Sequence, residues 1–262
     1  VAITTLDGWI AANKQKIELL KTTTRTTVAA TWFSLFDIAG SPGAGTLAIG
    51  NTANGLVHTD ATAGYPVITA ASATKYLSSV QSTSSLVSRL RLFDRLFACG
   101  AYAFNANTNL ASQPSYAGRL PGTVYNGLEI WVEQVTTATG NQAVNVTYND
   151  QGGASSSTGA VGIGAAPTVG RCWQLPLAAG DTGVQQINNV TGSVASAGTF
   201  NVMVLRPLCD LVVTIAGLGE TLDFLKTGLP QIYTDSALYF LINVPSGTSS
   251  GLPALFIDIV DG

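Results

Sequence analysis

The order of apolar and polar residues predicts short strands along most of the chain. Leu128, Ile130 and Val132 alternate with Glu129, Trp131 and Glu133, and Val144, Val146 and Tyr148 alternate with Asn145 and Thr147. Phe200, Val202 and Val204 repeat the pattern, and Val212–Ile215, Ala237–Val244 and Leu255–Val260 complete the set. A period of two with Gly-rich turns between runs indicates half-buried strands of a sandwich or jelly roll, and no strand–helix–strand alternation is seen. Leu86–Phe97 fits either a helix face or a strand; its alternating arginines favour the strand.

The beginning reads differently. Thr5 or Asp7 can cap a helix, and Trp9, Ile10, Asn13, Ile17 and Leu20 recur at helical spacing, with Lys14 and Glu18 four apart. The Thr-rich run 22–27 should end that helix, and the Gly- and Pro-rich run 39–45 is a loop. The expected architecture is therefore all-β: a jelly-roll-like β-sandwich at 61–262 behind an N-terminal arm at 1–60. The arm would hold a helix over about 7–21, then extended and loop segments.

Composition narrows the function. Only 10% of the 262 residues are charged, with 12 basic against 15 acidic side chains and a net charge of −3. A nucleic-acid binder should carry a basic surplus, so none is expected as a specific partner. No apolar run approaches the roughly 20 residues that span a bilayer. Cys99, Cys172 and Cys209 are far apart and fit buried thiols, and a single histidine, His58, leaves zinc without a ligand set. Catalytic, cofactor and metal sites are all expected to be absent. Gly40–Thr46 lacks the lysine of a phosphate loop, and Gly162-Ile163-Gly164 lacks the third glycine of a dinucleotide loop. His58 and Asp60 share a face of an extended segment but have no nucleophile elbow beside them. Glu129 and Glu133 would sit about 13 Å apart on a strand, too far for a glycosidase pair on their own, and read as a solvated or intersubunit face.

Charge is unevenly placed. Residues 1–25 hold four basic and two acidic side chains, whereas Lys226 is the one basic residue after Leu208, against Asp210, Glu220, Asp223, Asp235, Asp258 and Asp261. A basic arm meeting an acidic end across subunits would steer assembly. Arg89, Arg91 and Arg95 form the densest basic cluster and suit salt bridges, between subunits or internal. The candidate interface residues are Trp9, Lys14, Arg25, Trp32, Arg89, Arg91 and Arg95.

Several phrases carry a resemblance to a known group. They are Trp32-Phe33-Ser34-Leu35-Phe36, Leu92-Phe93-Asp94-Arg95-Leu96, Leu128-Glu129-Ile130-Trp131-Val132-Glu133 and Val146-Thr147-Tyr148-Asn149-Asp150-Gln151-Gly152, followed by Leu175–Val184 and Ala197–Val202. With these the chain resembles tailed-bacteriophage virion structural proteins, in particular auxiliary capsid (decoration or cement) proteins. The resemblance implies a non-enzymatic protein on the capsid surface of the virion. Its partners would be the major capsid protein and further copies of itself, with a trimer favoured. The alternatives are a tail or head–tail component, a carbohydrate-binding module using Trp131 or Trp173, and a hydrolase using Glu133 or His58.

Overall fold

The computed structural model describes residues 5–69, 74–165, 167–194, 196–245 and 247–262. The chain is all-β and its strand pairings are antiparallel, in three sheets that pack face to face as a sandwich-like stack. The middle sheet closes on itself. Ser88–Ala103 pairs with Thr199–Val213, which pairs with Glu129–Thr136, then Arg171–Leu175, Thr31–Ser34, Leu238–Val244, and back to Ser88–Ala103. Closure gives each ring strand a partner on both sides over part of its length, and the two-residue strand Leu56–Val57 adds to Ser88–Ala103 beyond the stretch that Leu238–Val244 covers.

Alternation explains how the ring is buried on both sides. Phe93, Trp131, Cys172, Met203, Leu205, Tyr239 and Leu241 form one cluster inside it. Outward residues of Glu129–Thr136 and of Arg171–Leu175, such as Ile130, Val132 and Leu175, pack beneath one flanking sheet. Outward residues of Thr31–Ser34 and Leu238–Val244, such as Phe33, Phe240 and Ile242, pack beneath the other. Ser88–Ala103 and Thr199–Val213 serve both halves: Leu92 and Leu208 face one flank, Phe97 and Val204 the other. That double duty accounts for their 16 and 15 residues. Three register shifts between them let the pair bend around the ring.

One flanking sheet, the terminal sheet, runs Glu220–Leu222, Lys75–Ser84, Pro253–Asp261, Lys14–Lys21, Gly40–Ser41. The other, the amide sheet, runs Ser155–Ser157, Asn141–Asp150, Val184–Gly192, Asn107–Asn109, with Val161–Ala165 also on Asn141–Asp150.

The N-terminal expectation needs correction. The helix spans Leu6–Ala11, capped by the Thr5 hydroxyl, and buries no residue. Lys14–Lys21 is instead an interior strand, paired along its length with Pro253–Asp261. Ile17, Leu19 and Lys21 point inward, a period of two that the helical spacing of Trp9, Ile17 and Leu20 masked. The basic start and acidic end do meet, but within one chain, where Lys16 Nζ lies 3.1 Å from Asp258. Leu86–Phe97 resolves in favour of the strand.

Candidate functional site

The seven candidate interface residues do not form one patch, although Lys14 meets Trp9 and the Arg89 guanidinium lies 5.6 Å from the Trp32 ring. Trp9 is half-buried, donates from Nε1 to Ser78 Oγ at 2.8 Å and lies against Phe224. Lys14 is exposed and sits 4.7 Å over the Trp9 ring. Arg25 turns inward, bonding Asp37 and, at 2.9 Å, the Val169 carbonyl. Trp32 packs edge-on against Trp131. Arg89 pairs with Asp210 at 2.9 Å on the surface, and Arg91 holds Glu129 through both terminal nitrogens at 2.9 and 3.2 Å. Arg95 is completely buried. Arg91 and Arg95 therefore lie on the inner side of the ring, as does Phe93 between them, and Arg95 leaves the interface set because nothing outside the chain can touch it.

Two polar clusters are built instead from residues of distant strands. Inside the ring, Glu133 accepts from the Tyr239 hydroxyl at 2.9 Å and from Asn201 Nδ2 at 3.2 Å, with Arg95 Nη2 at 3.5 Å. The Arg95 guanidinium also lies 5.3 Å from the Tyr239 ring and 5.6 Å from that of Phe36. Desolvation opposes its charge, but Tyr65, then Glu133, then Tyr239 hold the proton more firmly than usual. Glu133 is thus neither solvated nor at an interface.

The second cluster centres on Asp94. It points outward from the ring, between Leu92, which serves one flank, and Leu96, which serves the other. It accepts from Arg119 Nη2, from Arg206 Nη2 at 3.2 Å, from the Ser236 hydroxyl at 2.8 Å and from the Ala237 amide at 3.0 Å. Arg206 occupies the same place on its own strand, between Val204 and Leu208, so this ion cluster marks the seam where one flanking sheet gives way to the other.

His58 lies beside both clusters. Its Nδ1 is 3.3 Å from the Tyr65 hydroxyl, and its carbonyl accepts from Arg119 Nη1. Burial, then Arg95, then Arg119 push its pKa well below the ordinary 6.5. Asp60 accepts from the Ile68 amide at 2.8 Å, and the imidazole's side-chain contact is with the Tyr65 hydroxyl. The thiols of Cys99, Cys172 and Cys209 are free and raised by burial. No group of three or more His, Cys, Asp or Glu is arranged to hold a metal among the described residues. Trp131 is fully buried and offers no ring to a sugar.

The outer faces of the two flanks differ. On the amide sheet, Asn189 Nδ2 donates to Asn107 at 3.0 Å and to Asn109 at 2.8 Å, Asn188 to Asn149 at 2.6 Å, and Ser157 to Asn145 at 2.8 Å. The side chains of this face pair with one another through uncharged amide and hydroxyl groups. The terminal sheet carries Lys16, Glu18, Phe256 and Asp258 around a shallow groove of ≈ 540 Å³. Large apolar groups lie exposed on it and beside it: Leu6, Ile10, Phe224, Leu225, Leu252 and Phe256.

Sequence reasoning missed Arg119, Asn201, Tyr65 and Tyr239 as partners. The available signal was charge on an otherwise apolar strand: Leu92-Phe93-Asp94-Arg95-Leu96-Phe97 has no solvent-compatible face.

No described protein family matches the chain, and no curated protein does. Among solved structures, the chain is 9% identical to one from infectious bursal disease virus Gt strain, covering 95% of this chain and 81% of that one with a TM-score of 0.18. The infectious bursal disease virus VP2 subviral particle is likewise 9% identical, covering 96% and 80%, with a TM-score of 0.19. Superposition this poor carries no argument about fold or function.

Proposed function

We propose that the protein is a virion structural protein, a decoration protein that binds the head shell and acts without catalysis. Its partners are the major capsid protein and further copies of itself. The observation that supports this reading best is the asymmetry of the two outer faces. One face is neutral and self-satisfied, suited to water. The other gathers exposed apolar side chains with charges of both signs, the composition of a surface that another protein covers. The buried carboxylates Asp94 and Glu133 are engaged by arginines and hydroxyls within the fold, which is consistent with a structural role for both. The sequence resemblance to phage virion proteins points the same way.

The helix Leu6–Ala11 tests it. This helix fully buries no residue and touches the domain through the half-buried Trp9, whereas Ile17 and Leu19 belong to the core, so a cut must stop before Lys14. Protein lacking residues 1–12 should still unfold cooperatively, with a melting temperature only slightly lowered by the loss of the Trp9 contacts, and lose at least tenfold in copies per particle, counted in maps of particles assembled with it. Full incorporation of the shortened chain would reject the helix as a contact. Particles in which the full-length chain has no density would reject the virion reading itself.

A further inference from the structure

The segment that follows Leu56–Val57 plugs the ring. Tyr65 inserts from it into the interior cluster, its ring 4.7 Å from that of Phe36, and Ile68 joins the core beneath the terminal sheet. His58 sits at the junction between plug and wall. Its amide donates to the Leu96 carbonyl at 3.2 Å, and it is 5% exposed.

Among the described residues, the charged groups near this imidazole are cations or carboxylates that already accept hydrogen bonds. Arg95 from Ser88–Ala103 and Arg119 from the short turn Ala117–Arg119 are the nearby cations. Asp94 is engaged by Arg119 and Arg206, Glu133 by Arg95, Tyr239 and Asn201, and Asp60 of the plug by the Ile68 amide. Tyr65 supplies only a neutral hydroxyl. An imidazolium here would add a third cation to Arg95 and Arg119 in a buried space where none of the described carboxylates is bonded to it.

We propose that His58 is an acid-sensitive latch, whose protonation releases residues 58–69 from the ring while the sheets stay folded. The neutral ring fits the closed plug; the cation is stable only when the plug swings into water. Linkage sets the size of the effect. The open form takes up a proton near pH 6.5 and the closed form does so only at lower pH. The open population therefore rises up to about tenfold for each pH unit below 6.5, until the closed form also titrates.

His58 is the only histidine in the chain, so its imidazole proton resonance is unambiguous. The test follows that resonance from pH 8 to 4.5 in the full chain, with amide exchange corrected for its intrinsic pH dependence. The closed-state resonance should not titrate through 6.5, while exchange at 58–69 rises toward tenfold per unit and exchange in Leu238–Val244 stays flat. His58→Gln should abolish the rise. Three results would overturn the latch: a closed-state imidazole titrating near 6.5, exchange rising equally in the ring strands, or an undiminished rise in His58→Gln. If the glutamine variant does not fold, the wild-type resonance and exchange pattern decide alone.

Discussion

Asp94 and Glu133 are both fully buried carboxylates on ring strands, but they are held differently. Asp94, at the seam, receives four donors, two of them arginines, from three separate segments. Glu133, in the interior, meets one arginine at 3.5 Å and two neutral donors. The interior partner, Arg95, also lies against aromatic rings, which leaves it less dependent on its carboxylate. The contrast teaches where this fold needs charge. Interior volume can be filled by hydrocarbon. The seam is where neither flanking sheet provides cover, and there a multivalent anion ties together a strand, a turn and a loop.

The largest expected effect follows directly. Asp94→Asn keeps the shape and strands the charges of Arg119 and Arg206, and should cost at least about 4 kcal/mol in urea unfolding. Glu133→Gln strands Arg95 alone and should cost about 2–3 kcal/mol. If Glu133→Gln proves the costlier, the ranking of seam above interior is wrong.

A smaller effect sharpens the same contrast. Replacing both interior partners, Glu133→Leu with Arg95→Met, removes the desolvation of two charges together with their attraction. The cost should fall to about 1–2 kcal/mol, mostly from the Tyr239 hydroxyl left without an acceptor. A double variant worse than Glu133→Gln would show that the pair stabilises the ring beyond what packing replaces.

Much of the strand pattern was legible from alternation, because Val144, Val146 and Tyr148, or Val202 and Val204, must share a buried face. Ring closure was not legible. It depends on Ser88–Ala103 meeting Thr199–Val213 about a hundred residues later, and local pattern says nothing about which strands pair. Ile17 shows the same limit in miniature: its spacing from Trp9 and Leu20 suits a helix, and only pairing with Pro253–Asp261 makes it a strand. Of the polar sites, the arginines on Ser88–Ala103 were visible in the sequence, but the partners that made two of them internal lay on other strands. Exposed apolar positions on the terminal sheet became meaningful only once the fold put them on one side.

Lys21 is a buried charge of a third kind, with a carbonyl rather than a carboxylate as its direct partner. It is 3% exposed, its Nζ donates to the Ile38 carbonyl at 2.9 Å, and Asp37 acts on it only from a distance, being bonded itself by Arg25. Burial brings its pKa down to about 8, against the partial opposition of Asp37. The unfolded lysine holds its proton up to about 10.4, so its contribution to stability is fully present above that pH. The contribution is lost as pH falls toward 8 and stays lost below it. At pH 7 Lys21→Met should therefore stabilise the protein by about 1–2 kcal/mol, allowing for the lost carbonyl bond and for solvent reaching the amine. The gain should shrink as pH rises from 8 to 10.5. A gain that is constant with pH would assign the effect to packing, and a loss at pH 7 would place Lys21 with Asp94, among the charges that the fold requires.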